Sequence, residues 1–427
     1  MKESIKIMTA AMATTLLLTG CSVSAGKSPR EDGEPDKAKA PFDYSEVANT
    51  TVSDEEAFIS EYNRYSFELL SRIASSEGDT NVMVSPASVM MAFDVVAAGA
   101  NGDTLTQLTD LFANSADPLE QQAFAAALME RINSAEDIEF TCANAIWNNS
   151  DVLGSKINPD YVEYVFDTFG ADAREEAFNS ETVDKINAWI NENTDGMIDN
   201  VLRDLPNNTA MVVANAIAFD AQWETPFSES DEAAFTNAGG ETQWVSMLSD
   251  EMNFYYETDE AEGFIRYYEG SEYAFVAILP KDETINANEF LASFTGEDFE
   301  EFMNSDTIGN VRVMMPEFES DYDVKLNDYL VSMGAIDAFD EDLADFSGIA
   351  EDSRLYVDLA LHNTHINVTE EGTQAAASTV IVMRDVSCAM PADDIKVIAC
   401  DRPFAYAIIE TSTNMPVFVG TVNSIDA

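Results

Sequence analysis

Glu370-Glu371-Gly372-Thr373-Gln374-Ala375-Ala376-Ala377-Ser378-Thr379-Val380-Ile381-Val382-Met383, continuing through Arg384-Asp385-Val386-Ser387-Cys388-Ala389-Met390, is the stretch around which the chain is organised. Gly372 permits backbone angles that other residues resist. Ala375, Ala376, Ala377 and Ser378 present almost no side chain to hinder movement into a packed layer. From Val380 to Val382 the composition turns to β-branched residues, which favour strands. As a strand, the stretch places Thr373, Ala375, Ala377, Thr379, Ile381 and Met383 on one face, and that face carries no charge. Taken alone, this describes a strand with an alanine-rich start and one face fit for burial.

Two further segments change its meaning. Arg402-Pro403-Phe404 and Phe418-Val419-Gly420-Thr421-Val422-Asn423 follow it in the chain. Glu370, Glu371, Gly372, Thr373, Ala375, Ala376 and Ala377 resemble the hinge of inhibitory serpins, and the two later segments resemble that family's C-terminal strands, in family order and at nearly family spacing. The resemblance spans about residues 54 to 426. It implies an α+β fold in one domain, with three β-sheets, eight or nine helices and an exposed reactive-centre loop of residues 372 to 390. It also implies a mechanism. A serine protease cuts the loop, and the cut end inserts into the main sheet before the acyl-enzyme is released.

The resemblance assigns roles to other residues. Asn81 to Phe93 holds a short apolar run, then Ser85-Pro86 and an apolar helix, with Pro86 suited to its first turn. Here Ser85 and Ser88 match the serpin shutter beneath the large sheet. Met211 to Phe219 is almost wholly apolar, as a strand buried on both faces should be; it contains Asn215. Trp223, in Trp223-Glu224-Thr225-Pro226-Phe227, corresponds to the tryptophan at the top of the sheet. His362 aligns with the shutter histidine. Asn158 to Phe169 resembles the helix that lies across the main sheet.

Composition closes off several functions. The chain has 79 acidic and 21 basic residues, a net charge of −58, so nucleic-acid binding through phosphate neutralisation is excluded. Such a surface either steers basic proteins inward at low salt or is a generally solvated acidic surface, as in salt-adapted proteins, and the composition leaves both readings open. Hydrophobic residues make up 46% and aromatics 10%, enough for a sizeable core. Cys21, Cys142, Cys388 and Cys400 are too few for a disulfide scaffold. His362 and His365 lie three apart in a strand and face opposite sides, so no Ser-His-Asp site can use both. No catalytic residue, metal site or cofactor is expected.

The N-terminal region reads as an address. Residues 1–20 combine Lys2 and Lys6 with an apolar run from Ile7 to Leu18, a signal peptide too short to span a membrane comfortably. Leu18-Thr19-Gly20-Cys21 resembles the bacterial lipobox, which implies a lipid on Cys21 and anchoring at the cell surface. Residues 21–52 read as a flexible linker reaching roughly 30 Å, and residues 53–427 as the folded domain, expected to be a monomer.

Counting fourteen positions from the hinge glycine, as the family spacing implies, places the scissile bond at Val386-Ser387. A medium β-branched residue there suits elastase-like serine proteases. Arg384 offers trypsin-like enzymes a second bond. A non-inhibitory member with the same fold, a surface adhesin and a surface hydrolase are the alternatives. The adhesin leaves the hinge unexplained, and the hydrolase lacks a histidine constellation.

Overall fold

In the computed structural model, residues 40–135, 138–194, 196–198, 201–351, 354–373 and 395–425 are described. Cys21, Ala375, Ala376, Ala377, Arg384, Val386, Ser387 and Cys388 lie outside them. Most helix starts follow side-chain capping, those at Gly102 and Asn327 excepted. Asp43 caps a single turn, α1 (Tyr44–Val47), and Asp54 caps α2 (Glu55–Glu77), whose Phe58, Tyr62, Tyr65, Leu69 and Ile73 form its buried stripe. After β1 (Met83–Val84), Ser85 caps α3 (Pro86–Ala97), a helix buried at every position. Then come α4 (Gly102–Phe112), α5 (Pro118–Ser134) and β2 (Glu139–Asn149). Asn158 caps α6 (Pro159–Phe169), which ends at Gly170 in the left-handed region (φ 61°).

The second half is richer in strands. β3 (Asp172–Glu176) and α7 (Ser180–Asn193) lead into β4 (Met211–Gln222). β5 (Glu229–Thr236), β6 (Thr242–Glu257), β7 (Ala261–Tyr267) and β8 (Tyr273–Pro280) follow. Two helices closed by capping boxes, α8 (Ala287–Leu291) and α9 (Gly296–Met303), precede β9 (Asp306–Pro316) and β10 (Phe318–Lys325). The chain then forms α10 (Asn327–Ser332), β11 (Val357–Val368) and β12 (Gly372–Thr373). It closes with β13 (Lys396–Ala399), β14 (Phe404–Glu410) and β15 (Met415–Val422).

The main sheet has six strands in the order β10-β11-β12-β4-β2-β3. A nine-stranded sheet runs β1-β15-β14-β8-β7-β6-β9-β13, with β5 added on β6. Three sheets were expected, but the 16-residue β6 joins the two smaller ones by pairing β5 and β9 along much of its length and β7 at its end. The described residues hold ten α-helices against the eight or nine expected. One short helix, α1, falls in a segment read as linker. There Tyr44 stacks on Tyr164 (centroids 4.3 Å apart, 7° between planes) and donates to the Ala98 carbonyl at 2.7 Å. Four apolar residues, Phe42, Tyr44, Val47 and Val52, among polar ones carry no period, so composition hid a segment that packs on the domain.

One helix must be reassigned. Asn158 to Phe169 was expected to cross the main sheet, but α6 packs on helices, with Tyr161 donating to the Val95 carbonyl at 3.0 Å and Tyr164 to Gln122 Oε1 at 2.7 Å. The helix on the sheet is α7. Its Val183, Ile186, Trp189 and Ile190 form one apolar cluster with Ala145 and Trp147 of β2, Val212, Ala214 and Ala216 of β4, and Leu361 of β11. The other face of β4, with Met211, Val213, Ile217 and Phe219, belongs to the main core. That explains the apolar run: β4 is covered on both faces. Both helices carry an apolar stripe, and a stripe does not say which surface it will meet.

Candidate functional site

β11 and β4 are parallel neighbours from Val357↔Met211 to Thr364↔Ile217. Above that point they part, and β12 occupies the gap. Gly372 and Thr373 pair antiparallel with Gln222 and Ala221 of β4, while Thr373 pairs with Val368 of β11. The chain reverses in a tight turn in which Thr369 N donates to the Gly372 carbonyl at 2.8 Å. The main sheet is thus closed through its centre and open at one end, where Gly372 and Thr373 are seated.

Gly372 is required here for a reason other than backbone freedom. Its φ is not among the positive values, but a Cβ would lie 2.3 Å from the Ala221 carbonyl oxygen and 2.8 Å from Gln222 Cα. Only a residue without a side chain fits against β4. Glu370 and Glu371 bind the turn through their backbones. Glu370 N donates to Glu317 Oε1 at 3.0 Å, the Glu370 carbonyl accepts from Phe227 N at 3.2 Å, and the Glu371 carbonyl accepts from Trp223 N at 2.9 Å.

Trp223 sits at this open end. It is buried, and its indole N–H donates to the Thr369 carbonyl at 3.0 Å. It stacks on Tyr268 with centroids 4.5 Å apart and 14° between planes. The Tyr268 hydroxyl in turn lies 2.6 Å from the Thr373 hydroxyl. Tyr268 was not singled out in the sequence, since a tyrosine just past a strand end gives no sign of the residue it will meet 105 positions later.

Ser85, Ser88, Asn215 and His362 come together at the centre of the sheet. Strand register aligns Asn144, Asn215 and His362 in one row across β2, β4 and β11. His362 Nε2 accepts from Ser85 N at 3.0 Å, which leaves the proton on Nδ1, 2.7 Å from Asn215 Oδ1. The Asn215 amide nitrogen faces Asn144 Oδ1 at 2.7 Å and both the carbonyl and the hydroxyl of Ser88. Ser85 completes the set by donating to the Val417 carbonyl at 2.7 Å and accepting from Ser88 N. Full burial pushes the His362 imidazole down to about 3, so it stays neutral at physiological pH. Asn144 and Cys142, whose sulfur is 3.3 Å from Ser88 Oγ, were also missed; only strand register brings them here. Burial pushes the Cys142 thiol up to about 11, which makes it a poor nucleophile.

His365 stands apart, paired with Asp321 at 2.6 Å on β10. Among the described residues no cluster of three His, Cys, Asp or Glu could hold a metal ion. At the far end of the segment 374–394, β13 pairs in parallel with β9 from Lys396↔Val311 to Ala399↔Met314. Lys396 anchors it to Glu257 at 2.8 Å and Glu262 at 3.0 Å. The segment therefore joins the open end of the main sheet to an edge of the second sheet.

This architecture is that of the serpins. The family's profile, described as serpin (serine protease inhibitor), matches residues 60–425, and the chain belongs to that family. It is 30% identical to Iripin-8 of Ixodes ricinus over 89% of this chain and 96% of that one. An uncharacterized serpin-like protein of Methanosarcina acetivorans is 29% identical, over 96% of this chain and 94% of its own. Among solved structures, the native state of the thermophilic serpin tengpin is 35% identical, with a TM-score of 0.79 over 88% of this chain and 95% of that one. Its latent state scores 0.73 over 87% and 98%.

Proposed function

We propose that this chain is an irreversible suicide-substrate inhibitor of serine proteases, elastase-like ones first, held at a bacterial cell surface by a lipid on Cys21. The observation that carries the reading is the hinge: Gly372 and Thr373 occupy a strand position between β4 and β11, while those strands remain paired below. Alternation from Thr373 would carry Ala375, Ala377, Thr379, Ile381 and Met383 onto the same core face. The protease serine attacks the Val386 carbonyl and forms an ester, and the amine of Ser387 leaves. Insertion then proceeds before water can hydrolyse the ester. Each large apolar side chain fully buried, Ile381 and Met383 here, contributes roughly 1.5–3 kcal/mol. The native state is held by a kinetic barrier.

Valine at the cleaved position suits a small apolar specificity pocket, and the net charge of −58 favours encounter with a basic protease at low salt. The expected result with an elastase-like enzyme is an SDS-stable complex and a released C-terminal fragment that mass spectrometry shows beginning at Ser387. Complexes formed only with trypsin-like enzymes, with a fragment beginning at Asp385, would move the bond to Arg384 and overturn the elastase assignment.

The address has its own test. Cys21→Ala is expected to shift the protein from the membrane fraction to the soluble or unprocessed pool, followed by fractionation and immunoblotting. Unchanged membrane partition would remove the lipid anchor from the reading and leave the inhibitory mechanism untouched.

A further inference from the structure

Thr373 is fully buried, and among the described residues its hydroxyl meets a single side chain across the sheet interface, the Tyr268 hydroxyl at 2.6 Å. That phenol has little freedom. Its ring lies flat on Trp223 and edge-on to Phe219 at 5.0 Å, and its backbone donates to the Tyr273 carbonyl at 3.0 Å. Tyr268 is itself fully buried, with its phenol pushed above the usual range, so it keeps its proton. A rigid hydroxyl at the mouth of the gap meets the first side chain that enters it. Without it, the Thr373 hydroxyl would be buried with no side-chain partner, an unfavourable state that expulsion of the hinge relieves.

We infer that Tyr268 is a positioning residue that latches the hinge two residues deep in the main sheet before any cleavage. The inference rests on the inhibitory reading above and deepens it. With Thr373 seated, insertion after cleavage starts from a fixed register instead of first having to find the gap. The latch therefore biases the race between insertion and deacylation toward trapping.

The test is Tyr268→Phe in the full chain, a change that keeps the ring and its stacking. In the uncleaved protein, hydrogen exchange across residues 369–373 is expected to accelerate roughly ten-fold, the scale of a buried hydroxyl left without its partner. With a protease that cuts the loop, SDS-stable complexes should still form, while the moles of inhibitor consumed per mole of protease rise several-fold. Thr373→Val combined with Tyr268→Phe removes both hydroxyls and should bring exchange and stoichiometry back toward the parent values. A purely structural loss would not be rescued by a second substitution. Exchange and stoichiometry both unchanged in Tyr268→Phe, or a double variant no better than the single one, would overturn the latch. If the parent chain traps no serine protease, the inhibitory reading fails, and the exchange measurement alone decides the latch.

Discussion

Under the proposed mechanism, Thr373→Arg is expected to turn the protein from inhibitor to substrate. The protease should cut the loop and leave, with the trapped fraction lowered at least on the order of a hundred-fold. The reason lies in where the residue sits. Thr373 is 0% exposed, paired on both sides by β4 and β11, and its hydroxyl faces a neutral phenol. A guanidinium placed there is either buried without a partner, at a cost of several kcal/mol, or drags the hinge out of the sheet. In both cases the first step of insertion is lost while the cleavage site is unaltered. Gel analysis of complex against cleaved product, together with the stoichiometry of inhibition, reads the outcome. A variant that traps protease as well as the parent would refute strand insertion as the mechanism.

Asn215→Ala is expected to weaken the closed sheet more than any other single truncation in its centre. It leaves the His362 Nδ1–H and the Asn144 carbonyl oxygen without their partner at 2.7 Å, in a site where His362, Asn144 and Ser88 are all buried. Two orphaned buried groups together cost about 3 kcal/mol, which corresponds to a rise in the unfolding rate on the order of a hundred-fold. His365→Ala is the control, because its partner Asp321 is 74% exposed and a surface pair is worth under about 1 kcal/mol. Unfolding rates in denaturant compare the two. Equal effects would mean that the polar row at the sheet centre does not hold the strands together.

Those two expectations separate what was written in the chain from what was not. The hinge wording, the apolar run of β4 and the capped start of α3 at Ser85 are local facts. A small residue, a β-branched run or a capping hydroxyl acts over one turn or one strand. The sequence could therefore single out Gly372, Thr373, Asn215, Trp223 and His362, and the structure places Gly372, Thr373 and Trp223 at the open end of the main sheet and Asn215 and His362 at its centre. It gave a less complete account of why. Gly372 was read for its backbone freedom, whereas the close approach of β4 is what requires it.

What the amino-acid order alone determined is the family and most of the elements, because periodicity and short motifs follow from local sterics and burial. What only the tertiary structure decided is which groups meet. Asn144 joins Asn215 and His362 through strand register, and Tyr268 meets Thr373 across 105 residues of chain. In the same way α7 rather than α6 covers the main sheet, since an apolar stripe specifies burial but not its partner. Residues 42–52 join the domain through a tyrosine stack that leaves no pattern in sequence. Contacts between distant segments depend on the register and packing of whole sheets, and those are fixed only when all the elements bury their apolar faces together.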